Sequence, residues 1–391
     1  MIITQKDNLD RVIFEIIFEN SGALFAKEGL ANFLAKTLQN RGSNKNPNTK
    51  FLSKLEDNAI HLSVAAGRET ITIHTSFLKE KQTIALKLLK ELLSSPNFTE
   101  DSFQKTKKEI EATIQRKQTD FDYIANINLN KCSFKNTPLE YPIMGEKLDF
   151  NLEDIKAHFK KFFIKENMTF IVGGNFNPID FDEFKILFPN GKKEKIPHFS
   201  PITSNIETIK PTEQAYIYFN SPYNVEKKEH YKAKIASFIL GAGGFGSRIM
   251  EEIRVKNGFA YSAYARNSFT NHTNLLKGHM QTKLENEKDA INKLKYVITD
   301  FIENGITNEE LIQAKQFLIG SEPLRNETLN QKLARSFNEY YNGYEKGYYK
   351  KELKLIEDIS LNELNNFIKN HNEILNLSFS IVKNDTISKK G

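Results

Sequence analysis

The sequence contains no tryptophan and one cysteine, Cys132, among its 391 residues. A single thiol excludes an internal disulfide and leaves the redox compartment undecided. No apolar run approaches the roughly 20 residues that a membrane-spanning helix needs. No charged segment followed by an apolar stretch opens the chain either. We therefore expect neither a membrane span nor a signal peptide.

Paired metal ligands are also missing. The eight histidines are never three to five residues apart, so no helix presents two imidazoles on one face. His74 and His279 lie in strand-like sequence and are interpreted as structural. We expect this chain to bind no metal and no other cofactor.

What the chain does contain is typical of a soluble globular protein: 39% hydrophobic and 27% charged residues. The net charge of +6 is spread along the sequence. Phosphate binding favours Lys and Arg gathered on one face, so nucleic acid is not an expected partner. The length predicts about two domains, each with its own core.

A duplication supports two similar halves. The segment beginning at Phe98 matches the one at Ile306, 208 residues later, and Leu152 to Ile155 match Leu361 to Leu364 at an offset of 209. Periodicity is lost and prolines accumulate between the halves. The sequence therefore predicts an N-terminal domain at 1–187, a linker at 188–212 and a C-terminal domain at 213–391, with an α+β fold repeated in both.

Residues 239–264 form the most informative stretch. After the glycines, Ser247 is predicted to cap a short helix that ends at Gly258. Arg254 in the last helical turn and Tyr261 on the following strand are then expected to converge, although dipole complementation and ordinary strand packing would also explain them. A guanidinium beside a phenol suits a peptide carbonyl or a developing oxyanion. The glycines that would allow close backbone approach are Gly241, Gly243, Gly244 and Gly246.

This stretch resembles the C-terminal half of the pitrilysin/insulinase metallopeptidases, a family that includes the mitochondrial processing peptidases. The family pattern is a glycine-rich loop, a Ser-Arg-Leu helix and an Arg seven residues before a Tyr. The matching positions here are Ser247, Arg248, Arg254, Gly258, Phe259, Ala260 and Tyr261. The resemblance implies two homologous halves, each a mainly antiparallel sheet packed against helices.

Active family members carry His-x-x-Glu-His after a Gly-Leu-Ala-x-Phe-Leu opening, and here its three positions are Asn32, Ala35 and Lys36. An amide is a poor zinc ligand, alanine offers no base, and an ammonium of pKa about 10.4 repels a dication. The family's third ligand, a glutamate on a later helix, aligns with Ala112 or Thr113. The chain is therefore predicted to have lost the zinc site.

The resemblance implies a division of labour between two chains. One carries the zinc motif, and the other supplies Arg and Tyr as the pair closes around an unfolded peptide. We predict that this chain is the non-catalytic, substrate-binding subunit of such a heterodimer, with Arg254 and Tyr261 reaching the zinc of a homologous partner. Bacterial relatives make a periplasmic location plausible by resemblance, and the alternative is the cytoplasm.

Two other functions remain open. The fold could serve as a catalytically inert peptide-binding or scaffolding homodimer. The loop at Gly241 to Ser247 could bind a nucleotide, but it has Phe245-Gly246-Ser247 where a phosphate-binding loop has Gly-Lys-Ser/Thr.

Overall fold

Ten strands form two five-stranded sheets in the computed structural model, which describes residues 1–385. In chain order the strands are β1 (Ile2–Lys6), β2 (Arg11–Glu19), β3 (His61–Ala66), β4 (Thr70–Leu78), β5 (Met168–Gly174), β6 (Asn205–Ile209), β7 (Gln214–Pro222), β8 (Ala260–Phe269), β9 (Asn274–Lys283) and β10 (Ser378–Lys383).

Helices cover the sheets. In chain order they are α1 (Leu30–Arg41), α2 (Thr49–Glu56), α3 (Gln82–Ser94), α4 (Glu100–Lys117), α5 (Phe121–Ser133), α6 (Leu152–Phe162), α7 (Asp182–Lys185), α8 (His230–Ser237), α9 (Arg248–Met250), α10 (Glu287–Asn304), α11 (Asn308–Gly320), α12 (Leu329–Tyr341), α13 (Tyr348–Asp358) and α14 (Leu361–Asn370). None of the helices within residues 1–385 is long and apolar enough to cross a bilayer.

The two sheets have the same topology. Their strand orders are β1-β5-β2-β4-β3 and β6-β10-β7-β9-β8. In each, the first pair in this order is parallel and the other pairs, including the one at the opposite edge, are antiparallel. His74 opposes Glu15 in the first sheet just as His279 opposes Tyr218 in the second. The α+β fold with two similar, mainly antiparallel halves is thus confirmed.

Each sheet buries one face under helices. On β2, the alternate residues Val12, Phe14, Ile16 and Phe18 are fully buried. They belong to a cluster that includes the apolar side of α1, which begins at Leu30. On β7, Ile217 and Phe219 belong to the equivalent core beneath α8, α10 and α14. Fully burying a side chain of this size contributes roughly 1.5–3 kcal/mol, so these two clusters supply most of the stability.

Part of the opposite face of each sheet is covered by a helix from the other half of the sequence. Helix α12 packs on β1 and β5, where Leu329 and Leu333 contact Ile13, Ile17 and Ile171. Helix α5 packs on β6, β7 and β10. The compact units are accordingly 1–116 with 141–196 and 326–343, and 117–140 with 197–325 and 344–385. The sequence had assigned each exchanged segment to its own half.

The segment interpreted as a linker, 188–212, contains a strand. Residues Asn205–Ile209 form β6 and pair in parallel with β10, from Asn205 opposite Phe379 to Ile209 opposite Lys383. The Asn205 side chain accepts a hydrogen bond from the Phe379 amide at 2.9 Å. The strand is short and lies on the sheet edge, where prolines on either side are tolerated. Because of those prolines, the sequence pattern indicated a linker and not a strand.

Candidate functional site

Helix α1 carries the three positions of the family's zinc motif. Asn32 and Lys36 lie one turn apart on a partly exposed face of α1, so the geometry that would pair two ligands is present. The side chains at both positions are unsuited to zinc. Ala35 is 1% exposed and packs in the core. A buried methyl group therefore stands where active members place their general base.

Helix α4 packs beside α1 and brings one carboxylate to it. The rings of Phe33 and Phe103 are 4.8 Å apart, and the Arg41 Nε donates to Thr106 Oγ1 at 3.0 Å. The Arg41 guanidinium also forms an ion pair with Glu109 at 2.5 Å. Because α1 and α4 meet through these residues, the acid that α4 brings to α1 is bound by an arginine.

The positions aligned with the third zinc ligand lie further along α4. Ala112 is exposed. The hydroxyl of Thr113 donates to the Glu109 carbonyl at 2.9 Å. Neither side chain supplies a charged oxygen. Over residues 1–385, no group of three or more His, Cys, Asp or Glu side chains is arranged to hold a metal ion. The residues at the motif do not fit zinc.

The glycine-rich loop has glycines of two kinds. Gly241 and Gly243 are close-packed: a Cβ on Gly241 would lie 2.5 Å from the Ala265 nitrogen of β8, and one on Gly243 would lie 2.8 Å from the Phe238 carbonyl. Gly244 and Gly246 have φ of +65° and +96°, with open space where a Cβ would point. Gly241 thus seats the loop against β8 and Gly243 against the preceding helical turn, whereas Gly244 and Gly246 leave backbone accessible.

We expect Gly241→Ala to lower the free energy of unfolding by about 1–3 kcal/mol, because the added methyl group overlaps the β8 backbone. Gly244→Ala adds a methyl group in open space and should cost about 1–2 kcal/mol, from the left-handed backbone alone. Urea denaturation of the two variants measures both values. An unchanged free energy of unfolding in Gly241→Ala would contradict the packing role.

The helical segment after the loop is irregular. It begins with α9 and continues as a wider, π-type turn over Glu251–Lys256. Ser247 is at the N-cap, but its hydroxyl donates to the Gly244 carbonyl at 2.7 Å and does not accept from the helix. The expected side-chain cap is therefore wrong, and the serine instead closes the loop. Gly258, at φ +63°, ends the segment as predicted.

Arg248, the first residue of α9, is fully engaged. Its Nε and Nη2 donate to the two carboxylate oxygens of Glu310 at 2.6 and 2.8 Å. It also donates to Asp300 at 3.2 Å and to the Gly305 carbonyl at 2.8 Å. Glu310 is itself the capping-box residue of α11, held by Thr307. Arg248 thus ties the segment after the loop to α10 and α11.

Arg254 has very different surroundings. Its guanidinium lies 4.4 Å from the ring centroid of Tyr261 and 4.6 Å from that of Phe245. Among the residues that the structure describes, it forms no ion pair and no hydrogen bond. The neighbouring carboxylate of Glu252 is paired with Lys256 at 2.6 Å. The N–H donors of Arg254 are therefore unpaired within the described chain.

Tyr261 and Phe245 are exposed to an unusual degree. Tyr261 is 80% exposed and Phe245 is 71% exposed. A cation between two rings is attracted to both, which restricts its position while its charge stays in solvent. The structure thus brings Arg254 and Tyr261 together on the surface and adds Phe245. Sequence reasoning missed Phe245 because one phenylalanine in a glycine loop carries no periodic signal.

Two protein-family models match the chain. Residues 21–147 match the model described as insulinase (peptidase family M16). Residues 149–318 match the model described as peptidase M16 inactive domain. The first match contains α1 and α4, and the second contains the glycine loop, Arg254 and Tyr261.

Individual relatives cover most of the chain. A Helicobacter pylori protein named non-peptidase homolog YmxG is 38% identical over 98% of this chain and 91% of its own length. An uncharacterized zinc protease YmxG of Bacillus subtilis is 23% identical over 69% of this chain and 68% of its own. A crystal structure titled peptidase M16 inactive domain, from Pseudomonas fluorescens, superposes with a TM-score of 0.87 at 18% identity, covering 98% of this chain and 95% of that one.

Proposed function

The chain belongs to the M16 family of insulinase-type peptidases, and we propose that it acts there as a non-catalytic, substrate-binding subunit. In this proposal Arg254 and Tyr261 serve a zinc site held by a homologous partner chain. The substrates are unfolded peptides, and this chain binds no metal itself.

One observation carries the proposal. Arg254 and Tyr261 lie in contact on the surface, and within residues 1–385 Arg254 has no anionic partner. Arg248, six residues earlier, has every donor group engaged inside its own fold. These contacts give Arg248 a structural role, whereas Arg254 has no hydrogen bond or ion pair within the described residues that would give it the same role. The unsuitable side chains of α1 and the name of the Helicobacter relative support the non-catalytic part.

In the proposed chemistry, this chain supplies hydrogen-bond donors only. A peptide carbonyl under attack becomes a tetrahedral oxyanion, and N–H and O–H groups aimed at it are worth more to the transition state than to the substrate. Arg254 would donate to this oxygen from its guanidinium, and Tyr261 would donate its hydroxyl proton. The partner's zinc would supply the activated water. Gly244 and Gly246, with no side chain in the way, would let an extended peptide approach.

Reconstitution tests the proposal. The chain is purified alone and mixed with a family member from the same genome that carries His-x-x-Glu-His, and cleavage of a fluorogenic unfolded peptide is followed. We expect no cleavage and no stoichiometric zinc for the chain alone, and cleavage by the mixture well above that of the partner alone. The matched control is the mixture containing a partner whose motif glutamate is replaced by glutamine.

Two results would contradict the subunit function. Tightly bound zinc in the isolated chain would show that the ligand analysis is wrong. A stable homodimer that binds peptides, and leaves every zinc-carrying relative unchanged in activity and in elution volume, would establish the inert scaffold instead.

A further inference from the structure

The second sheet carries two cross-strand rows of aromatic, polar and charged side chains on the face opposite its core. In the register of β7, β9 and β8, one row is Tyr218, His279 and Tyr264, and the next is Asn220, Lys277 and Arg266. Directly paired residues project to the same side, and consecutive rows are two residues, or about 6.8 Å, apart. The residues between them, such as Phe219 and Ala265, lie in the core.

The first row is a packed aromatic platform. The His279 ring lies 4.4 Å from that of Tyr264 and 5.1 Å from that of Tyr218. The Tyr218 hydroxyl donates to Asp122 of α5 at 3.3 Å. Burial lowers the pKa of His279, Asp122 raises it and Arg266 lowers it further, so the net shift favours the neutral imidazole. The platform carries no charge of its own, and the Arg266 guanidinium of the next row lies 5.8 Å from the Tyr264 ring centroid.

The second row holds two cations opposite each other. Lys277 and Arg266 are direct cross-strand neighbours, an arrangement that is unfavourable for like charges. Neither forms an ion pair in the described part of the chain, and Asp122 lies beyond ion-pair distance of both. Burial lowers the pKa of Lys277, with a smaller contribution from Arg266. The fold thus keeps a half-buried lysine opposite an exposed arginine, and a hydrophobic residue at position 277 would remove their repulsion.

We propose that Lys277 and Arg266 bind a carboxylate of an extended acidic polypeptide, with Tyr264 and His279 receiving the neighbouring side chain of that polypeptide. A carboxylate placed between the two cations removes their repulsion and accepts charge-assisted hydrogen bonds from both. This inference names a class of polypeptide for the function proposed above and rests on it.

The pattern of charge favours a polypeptide over a nucleic acid. A nucleic-acid backbone repeats its negative charge at every nucleotide and needs a stripe of cations to match it. Here the cations occupy one row, and the row beside it is neutral and aromatic. A peptide in extended conformation matches that alternation, because its successive side chains on one side are also about 6.8 Å apart.

Peptide binding by the full chain tests the proposal. Fluorescence anisotropy is measured with a labelled unfolded peptide that contains one central glutamate and with the same peptide carrying glutamine, both amidated at the C-terminus. We expect the glutamate peptide to bind about tenfold more tightly, the factor typical of one charge-assisted contact. Lys277→Met and Arg266→Gln should each reduce that preference to about twofold or less.

The matched control is Lys283→Gln. Lys283 is on the same strand as Lys277 and its side chain is 74% exposed. Its replacement changes the net charge by the same amount as the replacement of Lys277. Equal loss of preference in this variant would mean that the protein's overall positive charge is responsible, and would overturn the site. So would equal affinity of wild-type protein for the two peptides, or tighter, Lys277-dependent binding of a single-stranded oligonucleotide.

Thermal denaturation supplies a second readout. Without peptide, Lys277→Met should raise Tm, because it removes a repulsive charge from a half-buried position. A fall in Tm together with an unchanged glutamate preference would make Lys277 structural. The anisotropy measurement uses this chain alone and cleavage needs the reconstituted pair, so a failure of cleavage and a failure of acidic binding can be told apart.

Discussion

Replacing Arg254 with alanine is expected to lower kcat of the reconstituted pair by about 10²–10³-fold, the usual effect of removing one oxyanion donor. KM should change little, because the donor acts mainly on charge that develops in the transition state. The measurement is steady-state cleavage of a fluorogenic peptide by the pair, with the amount of assembled dimer checked by gel filtration.

Three variants separate the effect on catalysis from effects on folding or assembly. Arg254→Lys keeps the charge but loses the planar fork, and should recover only part of the rate. Tyr261→Phe keeps the ring against Arg254 and loses the hydroxyl. Lys256→Ala, at the same end of the segment, should behave as wild type, because Lys256 is already paired with Glu252. Full activity of Arg254→Ala would exclude its role in catalysis.

Arg248→Met should destabilise the protein by about 2–4 kcal/mol. Breaking a fully buried ion pair costs about 3–5 kcal/mol, and the lower range reflects a side chain that is 18% exposed. The change leaves Glu310, Asp300 and the Gly305 carbonyl without their donor. Urea denaturation at pH 7 measures it, with Lys351→Met as an exposed control.

The same variant should change how stability depends on pH. Burial raises the pKa of Glu310, but the hydrogen bonds from Arg248 and Thr307 outweigh it and hold that pKa below its ordinary value of 4.5. A lowered carboxyl pKa stabilises the fold above the unfolded pKa, and this contribution is lost as pH falls through the folded value. The destabilisation by Arg248→Met should therefore be smaller near pH 4 than at pH 7. An equal loss at both would contradict this account.

Short-range features were well predicted from the sequence. The seven-residue step from Arg254 to Tyr261 spans one tight turn at Gly258, so local geometry alone brings the side chains together. The unsuitability of Asn32, Ala35 and Lys36 for zinc follows from their functional groups. The capping box at Thr307 and Glu310 likewise depends on neighbouring residues only.

Features that depend on distant pairing were not predicted. Helices α5 and α12 are amphipathic, but periodicity does not tell which sheet receives the apolar side. The row of Tyr218, His279 and Tyr264 exists only through strand register, so His279 looked like an isolated strand residue. Whether Arg254 and Tyr261 act on a substrate stays a prediction.

The packing of α5 and α12 on the sheet of the other half also affects when each half can finish folding during synthesis. The nascent chain completes β1, β2 and β5 early. Ile13, Ile17 and Ile171 remain uncovered until α12, which packs on them, has been synthesised. At typical synthesis rates that wait lasts roughly 10 to 30 s. A gene split at residue 188 would make the wait permanent, and each fragment would need the other's helix supplied in trans.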